Sequence, residues 1–139
     1  MRSLTVVISM LLLLLLLCAS SMASNLFEHR VWRLEGSSIS SFNALDFFIT
    51  SQFADGRISG KSAVNSYSGP VSVSSSSGTD GTLAIGPLMS TRMAGSPEAM
   101  RAENSFHTLL TSSTTFSIHG KTLTLKDGSG NEVLLFREE

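Results

Sequence analysis

From Val31 to Arg137, apolar side chains recur mainly at every second position, and turn signals break the pattern repeatedly. An extended chain sends successive side chains to opposite faces, so this alternation marks strands with one buried face. The spacing predicts strands at His29 to Leu34, Leu45 to Phe53, Arg57 to Ala63, Tyr67 to Ser74 and Thr82 to Ile85, then Thr114 to His119, Lys121 to Lys126 and Glu132 to Arg137. Trp32 and Leu34 share a face in the first, as do Phe47, Ile49 and Phe53 in the second. Asp55-Gly56 is a two-residue hairpin signal, because both turn positions favour residues that tolerate positive φ. Gly120 breaks one late pair of strands, and Asp127-Gly128-Ser129-Gly130 turns the other.

One segment changes period. Ser96 is a good N-cap, and Pro97 sits at the first helical position, where its missing N–H costs nothing. Glu98 complements the helix dipole. Ala99, Ala102, Phe106, Leu109 and Leu110 then fall on one helical face. A helix is expected from Pro97 to about Leu110, ended by the Ser and Thr residues from Thr111 to Thr115. Ser74 to Gly81 is polar and Gly-rich and reads as a flexible loop. The expected fold is mainly β (α+β). About eight short antiparallel strands form a curled sheet or small barrel, and the helix covers an open end or face.

Met1 to Ala23 has the makeup of a secretory signal. Arg2 supplies the positive start and Leu4 to Leu17 the apolar stretch, and Ser21-Met22-Ala23 places small residues where a signal peptidase needs them. Cleavage is expected between Ala23 and Ser24. The apolar run of about 15 residues is shorter than the ~20 that span a bilayer. Cys18 offers an alternative as a lipidated residue. Leu15 fits that motif, whereas Leu17, directly before the Cys, does not. Membrane association is expected only if Cys18 is lipidated, and the chain is otherwise expected in the periplasm or secreted.

Residues 24–139 form a single expected domain, enough for one core. The only cysteine is Cys18, so this domain rests on packing without disulfides and has no thiolate chemistry. It carries nine bases and eleven acids with no run of either sign. That argues against nucleic acid, which requires a basic face.

The order of these pieces resembles the META domain family, the HslJ-like small envelope proteins. The resemblance rests on Trp32-Arg33-Leu34, then Asp55-Gly56-Arg57-Ile58-Ser59-Gly60 followed by Asn65. It continues with Leu88-Met89-Ser90-Thr91-Arg92-Met93-Ala94, with Glu103 and Phe106 on the helix, and with Leu123-Thr124-Leu125 and Leu134-Leu135-Phe136. Trp32, Gly60, Asn65, Thr91, Met93, Glu103 and Phe106 are thus family-motif positions, expected to be structural. The resemblance implies an envelope protein tied to stress, such as heat response and antibiotic tolerance, or to secretion-linked phenotypes, with no established enzymatic activity. Family members often carry Cys just before the Asn and just after the Met-Ala pair. Here Val64 and Gly95 stand there, so the domain lacks that link.

No constellation of residues spells out a reaction. Gly56 to Ser62 has three residues between its glycines where a phosphate-binding loop has four, and no helical period follows. His29, His107 and His119 lack metal-ligand spacing and read as surface or rim residues. No Gly-x-Ser-x-Gly elbow exposes a serine. Asp46, Glu103 and Glu132 are scattered rather than paired. Glu103 reads as a residue that caps or hydrogen-bonds a neighbouring loop, ahead of one that contacts a ligand, and Met93 as a gap-filling core residue and Thr91 as a strand or turn residue, ahead of parts of a binding rim. No catalytic, metal or cofactor site is expected. The leading expectation is a non-enzymatic exported protein acting through an envelope protein partner or as a structural stress factor. A barrel holding a small apolar ligand is an alternative, to be told apart by whether Phe47, Phe53, Phe106 and Phe116 fill its interior. A weaker one is an inhibitor or adhesin using Ser74 to Gly81.

Overall fold

The computed structural model describes residues 29–40, 42–75 and 77–139. The signal segment, the Ala23–Ser24 cleavage site and Cys18 lie outside them. The strands are β1 Val31–Ser37, β2 Thr50–Ala54, β3 Arg57–Ser62, β4 Asn65–Ser75, β5 Asp80–Ile85, β6 Met89–Ser90, β7 Ser113–His119, β8 Thr122–Asp127 and β9 Glu132–Glu138. The helix α1 spans Pro97–Ser112.

All the pairings are antiparallel, in the order β3-β2-β1-β9-β8-β7-β5-β4, and β3 also pairs with β4. That last pairing closes an eight-stranded barrel. Closure falls to β4 because it is long: Asn65 to Pro70 pair with β3, and Val71 to Ser75 pair with β5. β6 pairs with the β4 edge that faces away from β3, the edge β5 takes further along, through Tyr67↔Ser90 and Ser68↔Met89.

The alternation sends one row of each strand inward. Trp32, Leu34, Ile58, Leu123, Leu125 and Phe136 are fully or almost fully buried in the barrel, with Phe53 and Phe116 close behind. The helix lays Ala102, Phe106, Leu109 and Leu110 on this core. Phe106 sits edge-on to Tyr67 at 5.5 Å and to Phe136 at 6.4 Å between ring centroids. Burying a phenyl ring of this kind contributes about 2–3 kcal/mol. Asp55 and Gly56 both have positive φ, 52° and 70°, as the β2–β3 turn requires.

Four local expectations are corrected. Leu45 to Phe53 is not one strand. The Asn43 side chain accepts from Leu45 N–H and winds Ala44–Asp46 into a 3-10 turn, so the strand starts only at Thr50. Phe47 is half-buried and Phe48 is 52% exposed, beneath the Arg33 guanidinium at 5.2 Å. The helix continues to Ser112 because hydroxyls satisfy its last carbonyls. Thr111 donates to His107 O, and Ser112 and Ser113 both donate to Leu109 O. The helix's inner face also differs from expectation: Ala99 is half-buried and Glu103 is buried. Ser74 to Gly81 is not all loop, because Ser74 and Ser75 belong to β4 and Asp80 and Gly81 to β5. Ser74↔Thr82 and Ser75↔Gly81 pair across it, and Ser75 Oγ both accepts from Gly78 N–H and donates to Asp80 O.

Candidate functional site

The β3–β4 hairpin turns through Ala63, whose φ is +73°. Val64 N–H takes the Ser62 carbonyl at 3.0 Å. The next donor, Asn65 N–H, therefore needs another acceptor. Glu103, reaching in from the helix, provides it.

Glu103 is 5% exposed, the only charged residue among the buried polar ones described. Its Oε1 accepts from Ser62 Oγ at 2.6 Å and from Asn65 N–H at 2.8 Å. Its Oε2 accepts from Asn65 Nδ2 at 2.8 Å. Burial pushes the carboxyl's pKa up, but the bonds from Ser62 and Asn65, with His107 nearby, outweigh it and hold the pKa below its ordinary value. The helix is thus latched to the barrel by an ionised carboxylate.

Asn65 carries the network onward. Its Oδ1 accepts from Met93 N–H at 2.7 Å and from Thr91 Oγ1 at 2.9 Å, and its Nδ2 also donates to Met93 O at 3.2 Å. Thr91 Oγ1 accepts from Ser66 N–H, while Thr91 N–H donates to Ser66 O. One asparagine therefore mimics a neighbouring strand for Met93, and one threonine hydroxyl stands in for a strand carbonyl. The segment from β6 to the helix is held in place from one side.

His107, one turn after Glu103, lies against Tyr67 at 5.5 Å and Phe106 at 5.9 Å. Burial lowers its pKa, with Glu103 opposing, and its Nε2 has no hydrogen-bond partner among the described residues. The Tyr67 hydroxyl donates to Thr50 O at 2.9 Å and lies 2.6 Å from Ser51 Oγ. Burial raises its pKa far above the usual phenol range.

The motif residues thus divide. Asn65, Thr91, Met93 and Glu103 form one connected network. Phe106 backs it from the helix. Trp32 lies in the barrel wall away from this network, fully buried. Gly60 sits where β3 passes over Thr50: a Cβ would lie 2.0 Å from the Thr50 carbonyl oxygen. Met93 is corrected. It is 55% exposed, not a core residue, because Asn65 holds its backbone and leaves its side chain outward. Met89 is 67% exposed. His29 and His119 are exposed. Ser62 belongs to the network, and Tyr67 and His107 pack beside it, although no motif marks them. Glu103 could have been found from its place on the helix's apolar face, where an acid requires a partner.

Beside β6 lies an open hollow of about 410 Å³, lined by Ser66, Tyr67, Ser68, Met89, Ser90 and Thr91. Among the described residues no three of His, Cys, Asp and Glu gather as a metal site, and no helix is long and apolar enough to cross a membrane.

The family model of the META domain matches residues 24–139. A search of curated proteins finds no match. The fold is similar to that of a protein from Burkholderia xenovorans solved by NMR. The TM-score is 0.63 at 22% identity, over 84% of this chain and 86% of that one. It is also similar to the crystal structure of a DUF4847 family protein from Bacteroides vulgatus, with a TM-score of 0.58 at 15% identity, over 82% and 95% of the chains.

Proposed function

Because the chain belongs to the META domain family, we propose that it is an exported, non-enzymatic interaction module of the cell envelope. Its working surface is the Met89–Gly95 segment. One observation carries this reading. Glu103 and Asn65, the carboxylate and the amide at the centre of the site, are bonded to each other and to their neighbours, and they hold that segment exposed. Glu103 is saturated by Ser62 and Asn65, and Asn65 by Met93 and Thr91. A carboxylate and an amide so occupied have little left for a substrate. Large exposed methionines on a fixed segment suit contact with a partner.

Export is supported by the signal-like Met1 to Ala23. The test of the reading is site-specific photo-crosslinking in the native envelope, with the crosslinker at Met93 or at Thr122 across the barrel. Discrete adducts from Met93 and none from Thr122 are expected, on a protein whose mass begins at Ser24. Equal adducts from both positions, or an acylated Cys18 start, would overturn the surface or the export route respectively.

A further inference from the structure

Asn65 brackets one exposed peptide bond, between Arg92 and Met93. Its Oδ1 accepts from Thr91 Oγ1 at 2.9 Å on one side and from Met93 N–H at 2.7 Å on the other, and its Nδ2 donates to Met93 O at 3.2 Å. Thr91 is tied a second time, its N–H to Ser66 O at 3.0 Å. Downstream, Gly95 lies against Val64. Arg92 stands between the held residues. It is exposed, and among the described residues no ion pair holds its guanidinium.

The backbone here is presented as well as fixed. Every residue from Met89 to Ser96 is exposed, and the segment contains no turn or bend. Thr91 and Met93 turn their N–H groups to the barrel, so the main-chain groups of Ser90 and Arg92 turn outward. A serine protease takes its substrate in this form, extended as an added strand. An acid at the base of its specificity pocket selects a basic residue just before the cleaved bond. A loose segment that met both demands would simply be cut. A segment fastened on both sides of the bond is preorganised for the cleft, and its new ends stay together if the bond breaks.

We propose that Thr91-Arg92-Met93 is the binding loop of an inhibitor of trypsin-like serine proteases, with the Arg92 side chain in the protease's specificity pocket. This rests on the interaction reading above and names the partner's chemistry. The protease serine hydroxyl attacks the Arg92 carbonyl carbon, and its proton passes to the protease histidine. Expulsion of the Met93 nitrogen, which takes up that proton, leaves an Arg92 ester on the serine and an amine on Met93. Asn65 keeps the amine beside the ester. The amine then attacks it, the amide re-forms, and the proton returns to the serine oxygen.

The test uses residues 24–139, which hold the whole barrel, with trypsin, chymotrypsin and a chromogenic substrate for each. Trypsin should be inhibited one-to-one with a Kd of about 1 μM or lower, and chymotrypsin should not be. Arg92→Lys should keep the inhibition, Arg92→Ala should weaken it roughly a hundredfold, and Arg92→Tyr should move it to chymotrypsin. Arg92 is exposed and unpaired, so these variants should keep the wild-type thermal transition. Mass spectrometry should find the wild-type Arg92–Met93 bond cut slowly. Asn65→Ala should speed that cut, and so should Thr91→Val, a milder change that loses only the hydroxyl on Asn65. Inhibition that survives Arg92→Ala, rapid cleavage of the wild type at Arg92, or uninhibited trypsin would overturn the proposal. If trypsin is uninhibited while Met93 still crosslinks one envelope protein, the inhibitor falls and the interaction reading stands.

Discussion

Gly95 lies directly against Val64: a Cβ on Gly95 would sit 3.5 Å from the Val64 Cβ and 2.6 Å from its Cγ2. Val64 belongs to the β3–β4 turn, and Gly95 lies just before the helix, so the contact ties the two ends of the Glu103 network. The valine fills the space that the glycine leaves.

The Cβ separation falls within the range of about 3.5–4.5 Å that disulfides adopt. Val64→Cys with Gly95→Cys should therefore form a bridge in residues 24–139, which hold no other cysteine. Closing a loop of about 30 residues should add roughly 3–4 kcal/mol. Thiol titration should find no free thiol, and the gain should vanish with reductant. Gly95→Ala alone should destabilise, because its methyl meets Val64 with no bond in return.

Gly60 and Gly120 should respond differently to alanine. At Gly60 the new methyl meets backbone, the Thr50 carbonyl, so β2 and β3 must part and the cost should reach about 3 kcal/mol. At Gly120 nothing lies within 4 Å, and only its φ of +58° is strained, a cost of about 1–2 kcal/mol. Urea unfolding of the two variants compares them directly. Equal losses would show that β2 and β3 separate without strain.

Much of this architecture was legible in the chain. Trp32, Leu34 and the late strands announce themselves because barrel walls preserve strict alternation, and Ser96-Pro97 marks the helix start through local bonds alone. Leu45 to Phe53 misled because its alternation is real but Asn43 captures Leu45 N–H and winds the chain first. The serine stretch hid a hairpin because its hydroxyls serve as turn acceptors that composition does not distinguish from solvated loop. The site was half legible. Glu103 and Asn65 stood out as motif positions, but their partnership joins β4 to the helix across 38 residues. Met93 misled because an apolar side chain ordinarily faces inward. Here a tertiary bond to its backbone decides its direction.

Glu103→Gln should cost about 2–3 kcal/mol, since an amide nitrogen would face donors that now bond a charged oxygen. It should also change the acid limb of stability. The folded carboxyl titrates below its unfolded value, so its contribution is present above pH ~4.5 and is lost as pH falls through the lower folded pKa. His107 acts earlier. Burial holds its pKa below 6.5, so the unfolded chain takes the proton first and stability starts to decline as pH drops under about 6.5. Both slopes have the same sign. In Glu103→Gln the lower limb should flatten, and His107 should titrate still lower by NMR without its anionic neighbour. An unchanged His107 curve would mean the two groups are not coupled.

Asn65 and Met93 separate holding the segment from presenting it. Met93→Ala removes an exposed side chain and leaves the backbone bonds to Asn65 in place, so its stability cost should stay within about 0.5 kcal/mol. Asn65→Ala removes the acceptor of Met93 N–H and Thr91 Oγ1 and one donor to Glu103. It should cost about 2–3 kcal/mol, because the carboxylate is left short of a partner. Hydrogen exchange should reveal the difference in kind. In Asn65→Ala the Met93 amide should lose its protection while amides of β8 and β9 keep theirs, and in Met93→Ala position 93 should stay protected. If the amide at 93 were equally protected in both proteins, something other than Asn65 would be fixing the segment, and the network would be incidental to its presentation.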